Sequence, residues 1–207
     1  MQSRGGPNAY CEVDLKDGDR VFGRSRPGVR SLIRLDEEDL AFIGGHDIAH
    51  TSVYSYLEPQ LRALSEAAKV LSFDFSQGWG EDYLKKMLPC INVAFMSAPG
   101  MNLFEIERLM RRVHGLGPGL VVVTRGGMGA SVYDGDHLIH QPVAEARVVD
   151  TLGTGDAFAA RLLCGHVEGA ALEESMARAA ESAAETCGYY GAWGHGAPLW
   201  DLKGKEE

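Results

Sequence analysis

The chain has 207 residues, a length at which one hydrophobic core and one domain are expected. Apolar residues make up 45% and charged residues 24%, as in ordinary globular domains. The net charge of −9 argues against a nucleic-acid partner, which normally needs a basic patch, and the apolar runs are too short to span a bilayer.

The N-terminal residues and the cysteines predict the compartment. Residues 1–8 are polar and glycine-rich and lack the apolar core of a signal peptide. The four cysteines are scattered without a C-x-x-C pair, which is typical of reduced, buried thiols. We therefore expect a cytoplasmic protein that binds neither nucleic acid nor membrane. The cysteines are Cys11, Cys90, Cys164 and Cys187.

The first half of the chain predicts a hairpin followed by alternating strands and helices. Residues 10–15 alternate in polarity, and Asp17-Gly18 has the turn chemistry of a hairpin that returns through residues 20–22. Asp36 precedes three acidic residues, which predicts the start of a short helix. The next predicted elements are strand 48–50, helix 58–69, strand 70–75, helix 81–88, strand 93–97 and helix 103–114.

The second half continues this alternation. Residues 120–124 form a continuous β-branched run, typical of a buried strand in a parallel sheet. Residues 130–133 and 137–140 predict a second hairpin, a helix is expected to begin near Asp156, and residues 172–186 predict the last helix. The alternation as a whole predicts an α/β fold whose mainly parallel sheet carries helices on both faces.

The segment 150–158, Asp-Thr-Leu-Gly-Thr-Gly-Asp-Ala-Phe, is the most informative motif. Its two glycines allow a tight turn between a strand and a helix, and the bare N–H groups of a helix start can cradle an anion. An acid at the mouth of that cradle, Asp156, suits removal of a proton from a hydroxyl as a phosphoryl group arrives. The alternative is that Asp156 only caps the helix or complements its dipole.

This segment resembles the C-terminal signature of the ribokinase-like (PfkB-type) carbohydrate kinases. The resemblance implies a ribokinase-like fold and Mg²⁺-dependent transfer of the γ-phosphoryl group of ATP to a sugar hydroxyl. It implies Asp156 as the general base, and the backbone of Gly153, Thr154 and Gly155 as the anion hole. Thr154 stands where the family usually has Ala, a change that a hole built from backbone should tolerate.

A second glycine turn follows the strand at 120–124. From the residues alone, a structural turn is its commoner meaning. A dinucleotide site would need a helix directly after the glycines, where the sequence predicts a hairpin arm instead. The resemblance implies that Thr124, Gly126 and Gly129 bind the nucleotide phosphates.

The end of the strand at 93–97 departs from the family pattern. Many members carry Asn-x-x-Glu here, which organises Mg²⁺ and phosphate, whereas this chain has Ser97 and Gly100. Ser97, at the position of the family's Asn, is a candidate for binding the nucleotide. The side chain of Asn102 or of Glu105 could reach the position of the missing carboxylate, although neither residue has the spacing of the family motif.

Two further acids are candidates. Asp74 ends a predicted strand, and ligands bind at such ends in open α/β sheets, so Asp74 is a substrate candidate, with turn capping as the alternative. The resemblance also implies a monovalent cation near Asp150 and the loop at Gly191.

The resemblance spans about residues 10–199, and details at residues 19–23, 73–76 and 190–193 are most similar to members that phosphorylate the 6-hydroxyl of fructoselysine. Residues 1–30 would be the remainder of a β lid with its connecting loop, and residues 31–207 the nucleotide-binding core. The N-terminal strands and sugar-binding motif of the family are not found in this sequence. Unpaired sheet edges favour association, so a homodimer is one expectation.

Two functions remain open at this point. The first is an ATP-dependent kinase acting on a small sugar or glycated amino acid. The second is a truncated, catalytically incomplete domain that binds nucleotide or a partner.

Overall fold

The computed structural model describes residues 5–16 and 19–195. Its strands are β1 (Tyr10–Lys16), β2 (Asp19–Arg26), β3 (Ala49–Ser52), β4 (Leu71–Asp74), β5 (Val93–Ser97), β6 (Leu120–Thr124), β7 (Ala130–Tyr133) and β8 (Leu138–Gln141). Its α-helices are α1 (Glu37–Gly44), α2 (Leu61–Ala67), α3 (Glu81–Met87), α4 (Leu103–His114), α5 (Thr154–Glu168) and α6 (Leu172–Thr186). Short 3₁₀ turns lie at Gly28–Leu32, Val53–Ser55, Glu58–Gln60, Leu88–Cys90 and Gly126–Met128.

The N-terminal hairpin forms a small sheet of its own. β1 and β2 pair antiparallel, with an irregularity between Cys11 and Val13. The predicted pairing is therefore confirmed, whereas the predicted turn at Asp17-Gly18 lies outside the described residues. The division into a lid remainder at 1–30 and a core at 31–207 stays a prediction.

The main sheet has six strands in the order in which they occur in the chain, β3 to β8. β3, β4, β5 and β6 are parallel, and β7 and β8 continue the sheet as an antiparallel hairpin. The predicted mainly parallel sheet is thus confirmed. The β-branched run of β6 is buried on both sides, since Val121, Val122 and Val123 have no exposed surface.

Two apolar layers cover the two faces of this sheet. Successive side chains of a strand point to opposite faces, so β5 contributes Ala94 and Met96 to one layer and Val93 and Phe95 to the other. The first layer holds the buried side chains of α2, α3 and α4, and the second those of α5 and α6. The predicted helical cover on both faces is confirmed.

Two predictions need correction. The helix expected over residues 58–69 begins as a 3₁₀ turn containing Pro59, and α2 starts only at Leu61, because proline is tolerated in the first turn of a helix but not further in. The cysteines are free but not buried: Cys11 and Cys164 are exposed, and the other two are half-buried. None of the described helices is both long and apolar enough to cross a membrane.

Candidate active site

The carboxyl ends of the parallel strands meet at one edge of the sheet and bring the candidate residues together. Ser52 of β3 pairs with Asp74 of β4, and Ser97 of β5 pairs with Thr124 of β6. Each pair lies at the last position of its strands. Polar side chains at this edge form the floor of the candidate site.

The glycine turn before α5 has the geometry that the motif predicts. Gly153 is the N-cap residue with φ of 80°, and a Cβ there would lie 2.7 Å from the Cβ of Ala192. The helix begins at Thr154, two residues earlier than expected. The hydroxyl of Thr154 donates to the carbonyl of Thr151 at 3.1 Å, so the extra group is accommodated within the turn.

The start of α5 is open to a ligand. No side chain of the described residues caps it. The N–H of Thr154 donates to the carbonyl of Thr151 at 3.4 Å, which leaves the N–H groups of Gly155 and Asp156 to an external acceptor. A Cβ at Gly155 would meet nothing within 4 Å. Asp156, the third residue of the helix, is exposed and lies beside this open space.

Asp150 fastens the turn to the segment after α6. Its buried carboxylate accepts hydrogen bonds from the N–H of Leu152 at 3.0 Å and from the N–H of Gly191 at 2.9 Å. The N–H of Val149 and that of Asp150 both donate to the carbonyl of Cys187. These contacts give Asp150 a structural role, and the monovalent cation predicted there stays a prediction.

The second glycine turn follows β6 at the carboxyl edge of the sheet. A Cβ at Gly126 or at Gly127 would meet nothing within 4 Å, which leaves room for a phosphate over this backbone. Gly129 has φ of 82°, and its Cβ would overlap the carbonyl oxygen of Gln141, so this glycine is required by the β7–β8 hairpin. The Thr124 hydroxyl donates to the Met96 carbonyl at 3.4 Å. The strand β7 follows the turn, as predicted, so the dinucleotide hypothesis is not supported.

The end of β5 is tied to the loop after β4. The amide of Gln77 donates to the Ser97 hydroxyl at 3.4 Å, and the N–H of Ser97 donates to the carbonyl of Ser76 at 2.8 Å. Asn102 and Glu105 bond to each other's backbone N–H in a capping box at the start of α4, which accounts for both side chains. Within residues 5–16 and 19–195, no three His, Cys, Asp or Glu side chains are grouped to hold a metal ion.

Asp74 and His50 belong to the same electrostatic environment as Asp156. Burial raises the pKa of Asp74, the charge of Asp156 raises it further, and the N–H of Ser76 and His50 oppose the rise. Although His50 lies at an exposed position, partial desolvation of its ring lowers its pKa, while Asp74 and Asp156 oppose that shift. His50 Nδ1 also shares a 3.0 Å hydrogen bond with the Ser72 hydroxyl. Asp156 is therefore near enough for its charge to act on both Asp74 and His50.

Sequence reasoning missed part of this edge. His50 was not among the site residues predicted from the sequence, and a usable signal was the alternation of polar residues along β4, at Ser72 and Asp74, with which β3 pairs. Tyr56 and Ser76 have φ of 59° and 51°, which makes them the only non-glycine residues of the described chain with positive φ. The Tyr54 and Ser76 hydroxyls share a hydrogen bond of 3.1 Å. Backbone held in this way is common at ligand sites.

A family model and curated relatives match the sequence of this chain. The family model described as pfkB family carbohydrate kinase matches residues 32–197. The chain is 44% identical over 197 residues to "Fructosamine kinase FrlD" of Bacillus subtilis, covering 93% of this chain and 69% of that protein. It is 36% identical over 194 residues to "Fructoselysine 6-kinase" of Escherichia coli, covering 93% of this chain and 74% of that protein.

Solved structures show the same fold. The ribokinase of Arabidopsis thaliana, complexed with ribose and ATP, superposes with a TM-score of 0.76 at 24% identity, covering 90% of this chain and 65% of that one. The ribokinase of Thermotoga maritima superposes with a TM-score of 0.73 at 19% identity, covering 91% of this chain and 66% of that one. The chain thus spans just under two thirds of these ribokinases, and the predicted ribokinase-like fold is confirmed.

Proposed function

Because the chain belongs to the pfkB family of carbohydrate kinases, we propose that it transfers the γ-phosphoryl group of ATP to a sugar hydroxyl, with the 6-hydroxyl of fructoselysine or of a similar glycated amine as the acceptor. The names of the relatives described above support this acceptor class. One observation carries the proposal: the uncapped start of α5 faces open space, with Asp156 in its first turn.

In this function the first turn of α5 receives the charge of the transferred group. The backbone at Gly153, Thr154 and Gly155 forms the anion hole, and the positive end of the helix dipole stabilises the negative oxygens as they arrive. Asp156 accepts the proton of the acceptor hydroxyl while the oxygen bonds to phosphorus and the bond from phosphorus to ADP breaks.

The glycine turn after β6 serves the nucleotide. The open backbone at Gly126 and Gly127 lets phosphate oxygens approach N–H groups closely, and Thr124 and Ser97 offer hydroxyls at the adjoining strand ends. Gly129, a predicted nucleotide contact, contributes by holding this turn against β8. Mg²⁺ would offset the phosphate charge. Because the described residues lack a three-ligand cluster, phosphate oxygens and water would supply most of its ligands.

A second candidate is a domain that binds nucleotide or a partner without turnover. The observation that favours it is that the chain spans only part of its relatives, 69% and 74% of the two proteins named above. The two functions differ in one measurable quantity, the release of ADP that the sugar stimulates.

The decisive experiment compares the parent with Asp156→Asn in a coupled assay of ADP release with Mg-ATP and fructoselysine. Loss of a general base should lower kcat by about 10²–10⁴-fold while the Kd of Mg-ATP changes little. Asp82→Asn, at an exposed position in α3, is the matched control and should behave as the parent. Near-parent turnover by Asp156→Asn would refute the assignment of the base. Nucleotide binding by the parent without sugar-stimulated ADP release would favour the second candidate.

A further inference from the structure

Asp74 stands on the face of the sheet that the helix α5 covers further along. It pairs in register with Phe95, whose ring lies in the apolar layer of α5 and α6, and neighbouring pairs share a face. Ser72 and Asp74 on β4 and His50 on β3 take polar positions on this face, where β5 has Val93 and Phe95. The face is thus apolar beneath α5 and polar beside it.

The hydrogen bonding of Asp74 leaves half of its carboxylate unused. Oδ1 accepts the N–H of Ser76 at 2.7 Å and holds the turn in which Ser76 has positive φ. No hydrogen bond or ion pair of Oδ2 with another described residue is seen. The charged groups that act on Asp74 are Asp156, which repels it, and His50, whose neutral form desolvation favours.

An ionised Asp74 is costly in the space beside Asp156, because the negative charge of Asp156 repels it. The cost is recovered when a ligand brings positive charge into that space. Among acceptors of the proposed class, the amine that joins the sugar to the amino acid is protonated near neutral pH, as alkyl amines are. This amine sits on C1, at the other end of the sugar from the 6-hydroxyl.

We propose that Asp74 is the specificity-determining residue for the glycated amine: its Oδ2 accepts a hydrogen bond from the C1 ammonium of the acceptor while the 6-hydroxyl lies at Asp156. The inference rests on the proposed kinase function for its choice of ligand. Binding of the cation at Asp74 fixes one end of the sugar, and the anion hole receives the phosphoryl group at the other. A neutral sugar lacks this anchor.

The test uses Asp74→Asn and three acceptors. Asparagine keeps an oxygen that can accept the Ser76 N–H, so the turn is preserved while the charge is removed. Fructoselysine and 1-amino-1-deoxyfructose both carry a cationic nitrogen on C1, whereas fructose is neutral. Loss of a charged hydrogen bond should raise KM for both amines by about 10–100-fold, with kcat nearly unchanged and with fructose affected less than about 3-fold.

The other outcomes overturn the inference. An equal loss with all three acceptors would make Asp74 a structural or hydroxyl-binding residue, and a loss with fructoselysine alone would place it at the lysine end. A raised Mg²⁺ requirement at fixed ATP would assign the carboxylate to the metal. Asp82→Asn again serves as the control, and coincident thermal unfolding of variant and parent excludes misfolding.

Equilibrium binding separates this inference from the proposed function. If the parent phosphorylates none of the acceptors, the kinase proposal fails, and calorimetric titration still decides the role of Asp74. Tighter binding of the two amines than of fructose, lost in Asp74→Asn, supports the ammonium site without turnover. Equal affinities of the parent for all three sugars would overturn it.

Discussion

Gly153 and Gly155 lie two residues apart in one turn, yet the fold requires glycine only at the first. Gly153 has positive φ, and a side chain there would strike Ala192 in the segment after α6. Gly155 has ordinary helical backbone within α5, and a Cβ there would enter empty space. The first glycine is needed by the fold, and the second keeps clear the space that the proposed anion hole would need.

Alanine at these two positions should therefore give opposite results. Gly153→Ala forces a side chain into a left-handed conformation against Ala192 and should lower the free energy of unfolding by about 1–3 kcal/mol. Gly155→Ala should be at least as stable as the parent, because alanine favours a helix by up to about 1 kcal/mol. Its methyl group should nevertheless weaken Mg-ATP binding. Denaturant unfolding and calorimetry measure the two effects, and an unstable Gly155→Ala or a stable Gly153→Ala would contradict this division.

At the scale of the element, α4 shows how local sequence sets a helix that supports the site. Asn102 caps it reciprocally with Glu105, and Ile106, Met110 and Val113 place a buried stripe against the sheet. The helix starts a few residues after Ser97, so its cap fixes the loop at the end of β5. Asn102 and Glu105 thus influence the site indirectly, by fixing the backbone of the loop that follows Ser97.

Removal of the helix cap should lower the stability of the protein and leave nucleotide binding unchanged. Asn102→Ala should lower the free energy of unfolding by about 0.5–2 kcal/mol, the usual range for a lost N-cap. Its Kd for Mg-ATP should stay within a few-fold of that of the parent. Glu105→Gln is the control, because its amide oxygen can still accept the N–H of Asn102. If Asn102→Ala instead raised the Mg²⁺ requirement, the side chain would have a role in the metal site.

The elements that could be predicted from sequence are those whose signal is local. The bounds of β5, β6, α4 and α6 match the predictions, since apolar runs, helical periodicity and caps lie within each segment. Contacts between residues far apart in the chain leave no comparable local pattern in the sequence. Asp150 bonds to Gly191, 41 residues away, and Ala192 closes on Gly153. Asp156 could be proposed as a site residue because one motif contains it, whereas His50 could not, because its surroundings depend on strand register.

At the scale of the whole molecule, the sheet lies between two apolar layers and contributes side chains to both. The layer on one face holds α2, α3 and α4, and that on the other holds α5 and α6, which position the signature turn. β6 lies within the sheet between β5 and β7 and supplies both layers from consecutive residues. The stability of the turn before α5 should therefore depend on residues on either face.

Val121 and Val122 form a matched pair for testing this coupling. Both are fully buried neighbours in β6, and Val121 belongs to the layer of α2, α3 and α4, whereas Val122 belongs to the layer of α5 and α6. Each change to alanine removes two methyl groups and leaves a cavity, so each should lower the free energy of unfolding by about 1.5–3 kcal/mol. If the sheet couples the layers, circular dichroism and Trp fluorescence should report one coincident transition for both variants. Two separate transitions in Val122→Ala, with α5 and α6 melting first, would show that the layer carrying Asp156 folds independently of the other.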